Sequence, residues 1–85
     1  MKVRLLYFAR LREALGMESE VAILPDSVKD VAELTAWLSA RGGVWATELA
    51  VGRAYRVAVD QEMASAQTRL SEGAEVAIFP PVTGG

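Results

Sequence analysis

The residues best placed to do chemistry stand at the C-terminal end, in the run Phe79-Pro80-Pro81-Val82-Thr83-Gly84-Gly85. Pro80 and Pro81 have no N–H to donate and hold φ near polyproline values, so a strand must end at Phe79 and the chain must leave it extended. From Pro80 to Gly85 such a path covers roughly 20 Å, at about 3.3 to 3.6 Å per residue, enough to reach into another protein. Gly84 and Gly85 have no Cβ, so the tip has a minimal cross-section and a terminal carboxylate can pass a constriction. On this reading the reactive group is the main-chain carboxylate of Gly85. A carboxylate resists substitution at neutral pH and must first be activated, most simply as an acyl-adenylate from ATP, before it accepts a sulfur or amine nucleophile. The activating machinery is then a separate enzyme. The plain alternative is a frayed terminus. At an average glycine usage of about 7%, a terminal Gly-Gly arises by chance about 0.5% of the time. Its place directly behind a strand and a Pro-Pro stiffener makes it harder to dismiss.

Composition closes most other routes. The 85-residue chain contains no Cys and no His, which removes a thiol nucleophile, an imidazole base, disulfides and Cys- or His-based zinc sites together. No metal site is expected. With 9 Lys and Arg against 11 Asp and Glu, and no basic cluster, there is no electrostatic footprint for nucleic acid. The opening MKVRLLYFARLREALG spreads Lys2, Arg4, Arg10 and Arg12 through its apolar positions, so it offers neither a signal core nor a membrane span. A reducing, cytoplasmic setting is expected. The length suits one domain that buries roughly 60 to 65% of its unfolded-chain surface, placed at residues 1–79 with 80–85 as an extended tail.

The elements that must position this tail follow from periodicity. KVRLLYF (Lys2 to Phe8) reads as a central strand with Val3, Leu5 and Tyr7 on one face and Arg4, Leu6 and Phe8 on the other. ARLREALG gives about two helical turns closed by Gly16, and ESEVAIL (Glu18 to Leu24) a second strand. Pro25 and Asp26 break it, Ser27 is expected as an N-cap with Asp30 in the first turn, and a helix follows from about Val28 to Arg41. Val28, Val31, Leu34 and Leu38 form its apolar stripe, its charged residues a solvated face, and Gly42 and Gly43 its left-handed stop. VWATELAVG reads as a short helical or irregular link with Trp45 against the core. YRVAVDQ is a half-buried strand followed by a turn and a small polar loop through Thr68, and RLSEGAEVAIF turns at Ser71 to Gly73 into a last strand. One amphipathic helix over one face of a four-strand sheet is an α+β two-layer arrangement.

The other face is informative. If Arg4 and Glu75 mark the solvent side of the first and last strands, Leu6, Phe8, Ala77 and Phe79 lie with them as an exposed apolar patch, which implies a protein interface beside the tail. The competing reading covers Phe8 and Phe79 with the loop from Gln61 to Thr68, with Met63 as gap filler.

VRLLYFARLREALG, YRVAVDQ and EGAEVAIFPPVTGG together resemble the small, sulfur-carrying subunit of molybdopterin synthase, along the whole chain. The most specific part is FPPVTGG as the end of the chain. The resemblance implies an α+β, ubiquitin-like β-grasp fold: a mixed sheet of four to five strands on one main helix plus short helices. It also implies that Gly85 is adenylylated by an E1-like adenylyltransferase using ATP, then converted to a thiocarboxylate with sulfur from a donor. The tail, Pro80, Pro81, Val82, Thr83 and Gly84, carries it into the active site of the large catalytic subunit, in a heterotetramer of two large and two small subunits. There sulfur passes to cyclic pyranopterin monophosphate, two donations making one molybdopterin. The chain itself has no catalytic side chain and binds no cofactor. By resemblance, Phe8, Met63 and Phe79 form the apolar surface that both partners bind, and Arg12 makes polar contacts with the activating enzyme. One departure is Asp60, where the family has Asn before Gln. Alternatives are a sulfur carrier for thiamine or tRNA thiolation, a protein-conjugating modifier, or a non-catalytic β-grasp binding module.

Overall fold

The computed structural model describes residues 1–50 and 54–81. In chain order the elements are β1 (Lys2–Tyr7), α1 (Ala9–Leu15), β2 (Ser19–Ile23), α2 (Val31–Ser39), α3 (Gly43–Glu48), β3 (Arg56–Val59), β4 (Glu62–Met63) and β5 (Glu75–Phe79). The five strands make one mixed sheet in the order β2-β1-β5-β3-β4. Its centre is the parallel pair β1–β5, with Leu5 opposite Val76 and Tyr7 opposite Ile78. β2 and β3 flank that pair in antiparallel register.

Strand alternation sorts the two faces as expected. Val3, Leu5 and Tyr7 of β1 and Val76 and Ile78 of β5 are buried, and the helices lie on them. Val31, Leu34 and Leu38 bring the apolar stripe of α2 into the same core. Burying a Leu side chain contributes about 1.5 to 3 kcal/mol, so this stripe, rather than helix propensity, holds α2 in place.

The start of α2 differs from expectation. The N-cap is Asp30, not Ser27: its backbone is extended and its Oδ1 accepts the Glu33 N–H at 2.8 Å. Glu33 Oε1 in turn accepts the Lys29 N–H at 2.9 Å. The first turn is delayed because residues 29–31 pair with the loop ahead of β5. Leu70 N–H donates to Lys29 O, and Val31 N–H to Thr68 O. Val28 is still buried, from the preceding turn rather than from the helix. The charged residues of this segment are therefore not simply a solvated face. Asp30 and Glu33 cap the helix. Arg41 donates to Glu20 Oε1 at 2.7 Å, with its guanidinium 5.0 Å from the Trp37 ring centre and 4.4 Å from that of Trp45.

Glu20 also accepts the Tyr7 hydroxyl at 2.6 Å, and Tyr7 meets Trp45 edge-on at 5.5 Å. Tyr7, Glu20, Arg41 and Trp45 thus tie β1, β2 and the connection after α2 together. The link expected to be helical or irregular is α3, with Trp45 packed on the core.

The segment after β3 also differs. It is a hairpin rather than a turn into a loop, and Met63 lies on a short fifth strand, β4, opposite Ala58. Asp60 (φ 50°) and Gln61 (φ 71°) are both left-handed, the conformation of a two-residue type I′ turn whose twist matches its strands. Asp60 also ties this turn to the start of β5. Its Oδ1 accepts the Glu75 N–H at 3.0 Å and its own N–H donates to Glu75 O at 2.8 Å.

Two predictions follow from these contacts. A left-handed non-glycine residue costs roughly 1 to 2 kcal/mol, while glycine gives back about 0.4 to 1 kcal/mol through the unfolded chain. Gln61→Gly is therefore expected to stabilise the protein by about 0.5 kcal/mol in urea unfolding. Burial, and after it the hydrogen bond to the Glu20 carboxylate, push the Tyr7 phenol well above its ordinary range. The unfolded chain then loses this proton near pH 10 while the folded one keeps it, so stability falls as pH rises above about 10. Tyr7→Phe is expected to flatten that alkaline fall in thermal midpoint.

Candidate functional site

The site is built around the end of β5. This strand is paired to β1 as far as Ile78 and to β3 as far as Phe79, where Pro80 ends the ladder. Pro80 borders a pocket of about 200 Å³ with Arg10 and Leu11 of α1, Glu48, Ala54 and Tyr55. Arg10 Nε bonds Glu48 Oε1 at 3.0 Å across it. Pro80 and Pro81 are partly buried. Val82, Thr83, Gly84 and Gly85, which include the expected reactive carboxylate, lie outside the described residues.

Around this exit the open face of the sheet carries an apolar row. Register places Leu6 beside Ala77, Ala77 beside Ala58 and Ala58 beside Met63. Phe79, opposite Arg56, continues the next row. Phe8 follows β1 directly, and its N–H donates to Ile78 O at 3.3 Å. Phe8 is 45% exposed and Met63 61%, so the loop after β4 does not cover them. Phe79 is partly buried by its neighbours. Phe8 faces out because Tyr7 is held in, and because Ala9 takes a left-handed φ of 51° that turns the chain off the sheet into α1. That conformation costs an alanine roughly 1 to 2 kcal/mol.

Arg12 lies one turn into α1. It lines a shallow hollow with Phe8, Leu6, Arg4, Glu18 and Ser19, and reaches Glu18 only at 4.0 Å. Gly16, left-handed at φ 71°, closes α1 and donates its N–H to Arg12 O. The structure thus brings Phe8, Phe79, Met63 and Arg12 to one side of the sheet next to the start of the tail. Arg56, beside Phe79, was not among the expected contact positions. Strand parity in YRVAVDQ sets Arg56 with Ala58 and Asp60 against Tyr55, Val57 and Val59, but which strand neighbours Phe79 is a matter of topology. Val21 and Ile23, also exposed on this face, sit on β2 away from the exit. Among the described residues no group of three or more acidic side chains is placed to hold a metal ion.

The parallel central pair, the flanking antiparallel strands and the packed helix make this a ubiquitin-like β-grasp protein. The chain belongs to the ThiS family, whose model matches residues 5–85. It is similar to the molybdopterin synthase sulfur carrier subunit of Escherichia coli K12, at 38% identity over 98% of this chain and 99% of that one. The protein of the same name in Haemophilus influenzae is 32% identical over the same shares of the two chains. Among solved structures, a Pyrococcus furiosus protein provisionally described as molybdopterin converting factor, subunit 1, superposes with a TM-score of 0.80. It is 27% identical, over 96% of this chain and 99% of that one.

The split between the faces is testable by substitution. Phe8→Ser, at an exposed position, is expected to change the unfolding free energy by no more than about 1 kcal/mol. Ile78→Ala, one strand away but fully buried, is expected to cost about 2 to 5 kcal/mol. Equal losses in urea titrations would show that Phe8 belongs to the core.

Proposed function

We propose that this chain is the sulfur-carrier subunit of a molybdopterin synthase, with the Gly85 carboxylate as its working group. The observation that carries the reading is where the sheet releases the chain. β5, held on both sides, ends at Phe79 beside the exposed Phe8, and the sequence runs on from there through Pro80 and Pro81 to the diglycine. A partner that covers this face receives the tail at a fixed place and direction. Membership of the ThiS family and the names of the two curated relatives support the same reading.

The chemistry uses no side chain of this protein. The Gly85 carboxylate attacks the α-phosphorus of ATP on an E1-like adenylyltransferase, releasing pyrophosphate and leaving an acyl-adenylate. A sulfide equivalent from a sulfur donor displaces AMP and forms the thiocarboxylate. In the large catalytic subunit its sulfur replaces an oxygen substituent on a carbon of cyclic pyranopterin monophosphate, that oxygen leaving as water or with the opening cyclic phosphate. A water molecule then cleaves the acyl–sulfur bond to restore the carboxylate and leave the sulfur on the pterin. The domain contributes positioning: Pro80 and Pro81 stiffen the root of the tail, Val82, Thr83 and Gly84 thread the partner, and Phe8, Met63, Phe79 and Arg12 dock it. In this scheme the chain needs no cofactor of its own and works in the cytoplasm. No helix among the described residues is long and apolar enough to cross a membrane.

Incubation with the activating enzyme, ATP and a sulfur donor is expected to add the mass of one oxygen-to-sulfur exchange, read by intact-protein mass spectrometry. Deleting Gly85 is expected to abolish the shift and leave the thermal midpoint unchanged, as removal of the last residue of a domain generally does. No shift with an enzyme competent on another carrier would leave a non-catalytic binding module as the better reading. Phe79→Asp is expected to weaken binding to the large subunit by at least about a hundredfold, as loss of a central apolar anchor does. A collapse of the fold in that variant would make Phe79 a core residue instead.

A further inference from the structure

Four cations, Lys2, Arg4, Arg12 and Arg56, lie on or beside the open face together with the carboxylates of Glu75 and Glu18, in a chain whose net charge is −2. Lys2 and Arg4 of β1 and Arg56 of β3 are exposed and share the strand parity of Leu6 and Phe79. Arg12 joins Arg4 in lining the hollow beside Phe8. Elsewhere cations are engaged: Arg10 with Glu48 and Arg41 with Glu20. On the open face they are not. Arg12 has only the 4.0 Å approach of an exposed Glu18, and neither Arg4 nor Arg56 forms an ion pair among the described residues. The carboxylate nearest in register, Glu75, lies opposite Arg4, one row away from Arg56.

The placement of Arg56 is specific. Phe79 and Arg56 are opposite one another on neighbouring strands, and Phe8 lies on the far side of Phe79. With about 4.8 Å between strands, Phe8 and Arg56 are about 10 Å apart across the row. Arg12 shares a hollow with Phe8, so Arg56, which has no ion pair among the described residues, and Arg12, loosely paired with exposed Glu18, lie on either side of the two aromatic residues. A partner that seats Phe8 and Phe79 must also shed water from these groups or leave them at a wet rim. A guanidinium brought to an interface edge is best satisfied by a carboxylate, which it can hold through two parallel N–H···O bonds.

We propose that Arg56, with Arg12 on the opposite flank, takes a carboxylate of the large catalytic subunit. The surface that receives the tail is then an apolar seat for Phe8 and Phe79 with acidic groups on both sides. This inference rests on the sulfur-carrier reading and adds the chemistry of the partner's contact surface. Such pairs at the edge of an interface steer encounter and select partners, and salt screens them.

The test titrates the purified large subunit with wild type, Arg56→Gln, Arg56→Glu and Phe79→Asp at low and high salt. Thermal midpoints establish that each variant is folded. At low salt Arg56→Glu is expected to weaken binding by about tenfold or more, chiefly through slower association, and Arg56→Gln by about threefold. Both differences are expected to shrink at high salt. Wild-type affinity for Arg56→Glu, with binding lost in Phe79→Asp, would overturn the acidic flank and leave the docking face standing. A loss seen only with the activating enzyme would overturn it as well. Wild-type affinity in Phe79→Asp too would mean that the docking reading itself is wrong.

Discussion

The structure depends on the parallel pairing of its first and last strands. β1 and β5 are distant in sequence, yet they form the middle of the sheet, with Leu5, Tyr7, Val76 and Ile78 buried along their shared inner face. Parallel strands need a long crossover, and nearly all the remaining chain serves as one. α2 covers the inner face, and β2 and β3 close the flanks. The pairing also fixes where the chain ends up. A C-terminal strand at a sheet edge could release its tail sideways into solvent. One in the centre releases it between two neighbours, at the row that holds Phe8, Phe79 and Arg56.

From that constraint the two faces take different tasks. The inner residues hold the strands in register, and Tyr7 is fixed further by Glu20, which Arg41 and its two tryptophans hold in turn. The outer residues, offset by one position, are left for contact. Tyr7 and Phe8 show the division within one dipeptide: one side chain locked inside, the next turned out by the left-handed Ala9.

Much of this was legible in the sequence wherever period alone decides. Alternation in β1 and β5 separated the buried residues from the outward-facing ones, and the three- and four-residue steps of Val31, Leu34 and Leu38 located the main helix. The end of the last strand at Phe79 was legible because Pro80 has no N–H for the ladder. What escaped were features set by distant pairing. The cap moved from Ser27 to Asp30 because residues 29–31 bond to Thr68 and Leu70. The short β4 hid in a polar stretch because its register comes from the turn at Asp60 and Gln61. Arg41 looked like any helix-end cation until the fold put Glu20 beneath it and two indole rings beside it. Arg56 could be assigned to a face but not to a neighbour, since strand order is not written in strand period.

The central position of β5 has a mechanical consequence. Withdrawing the tail from a partner pulls along the axis of this strand. Its ladder bonds to β3 run across that axis and those to β1 slant across it, so the load falls on both rows of bonds together, in shear. An edge strand pulled sideways would instead peel away one bond at a time. Whatever is joined to the end of β5 is thus anchored where the sheet best resists traction.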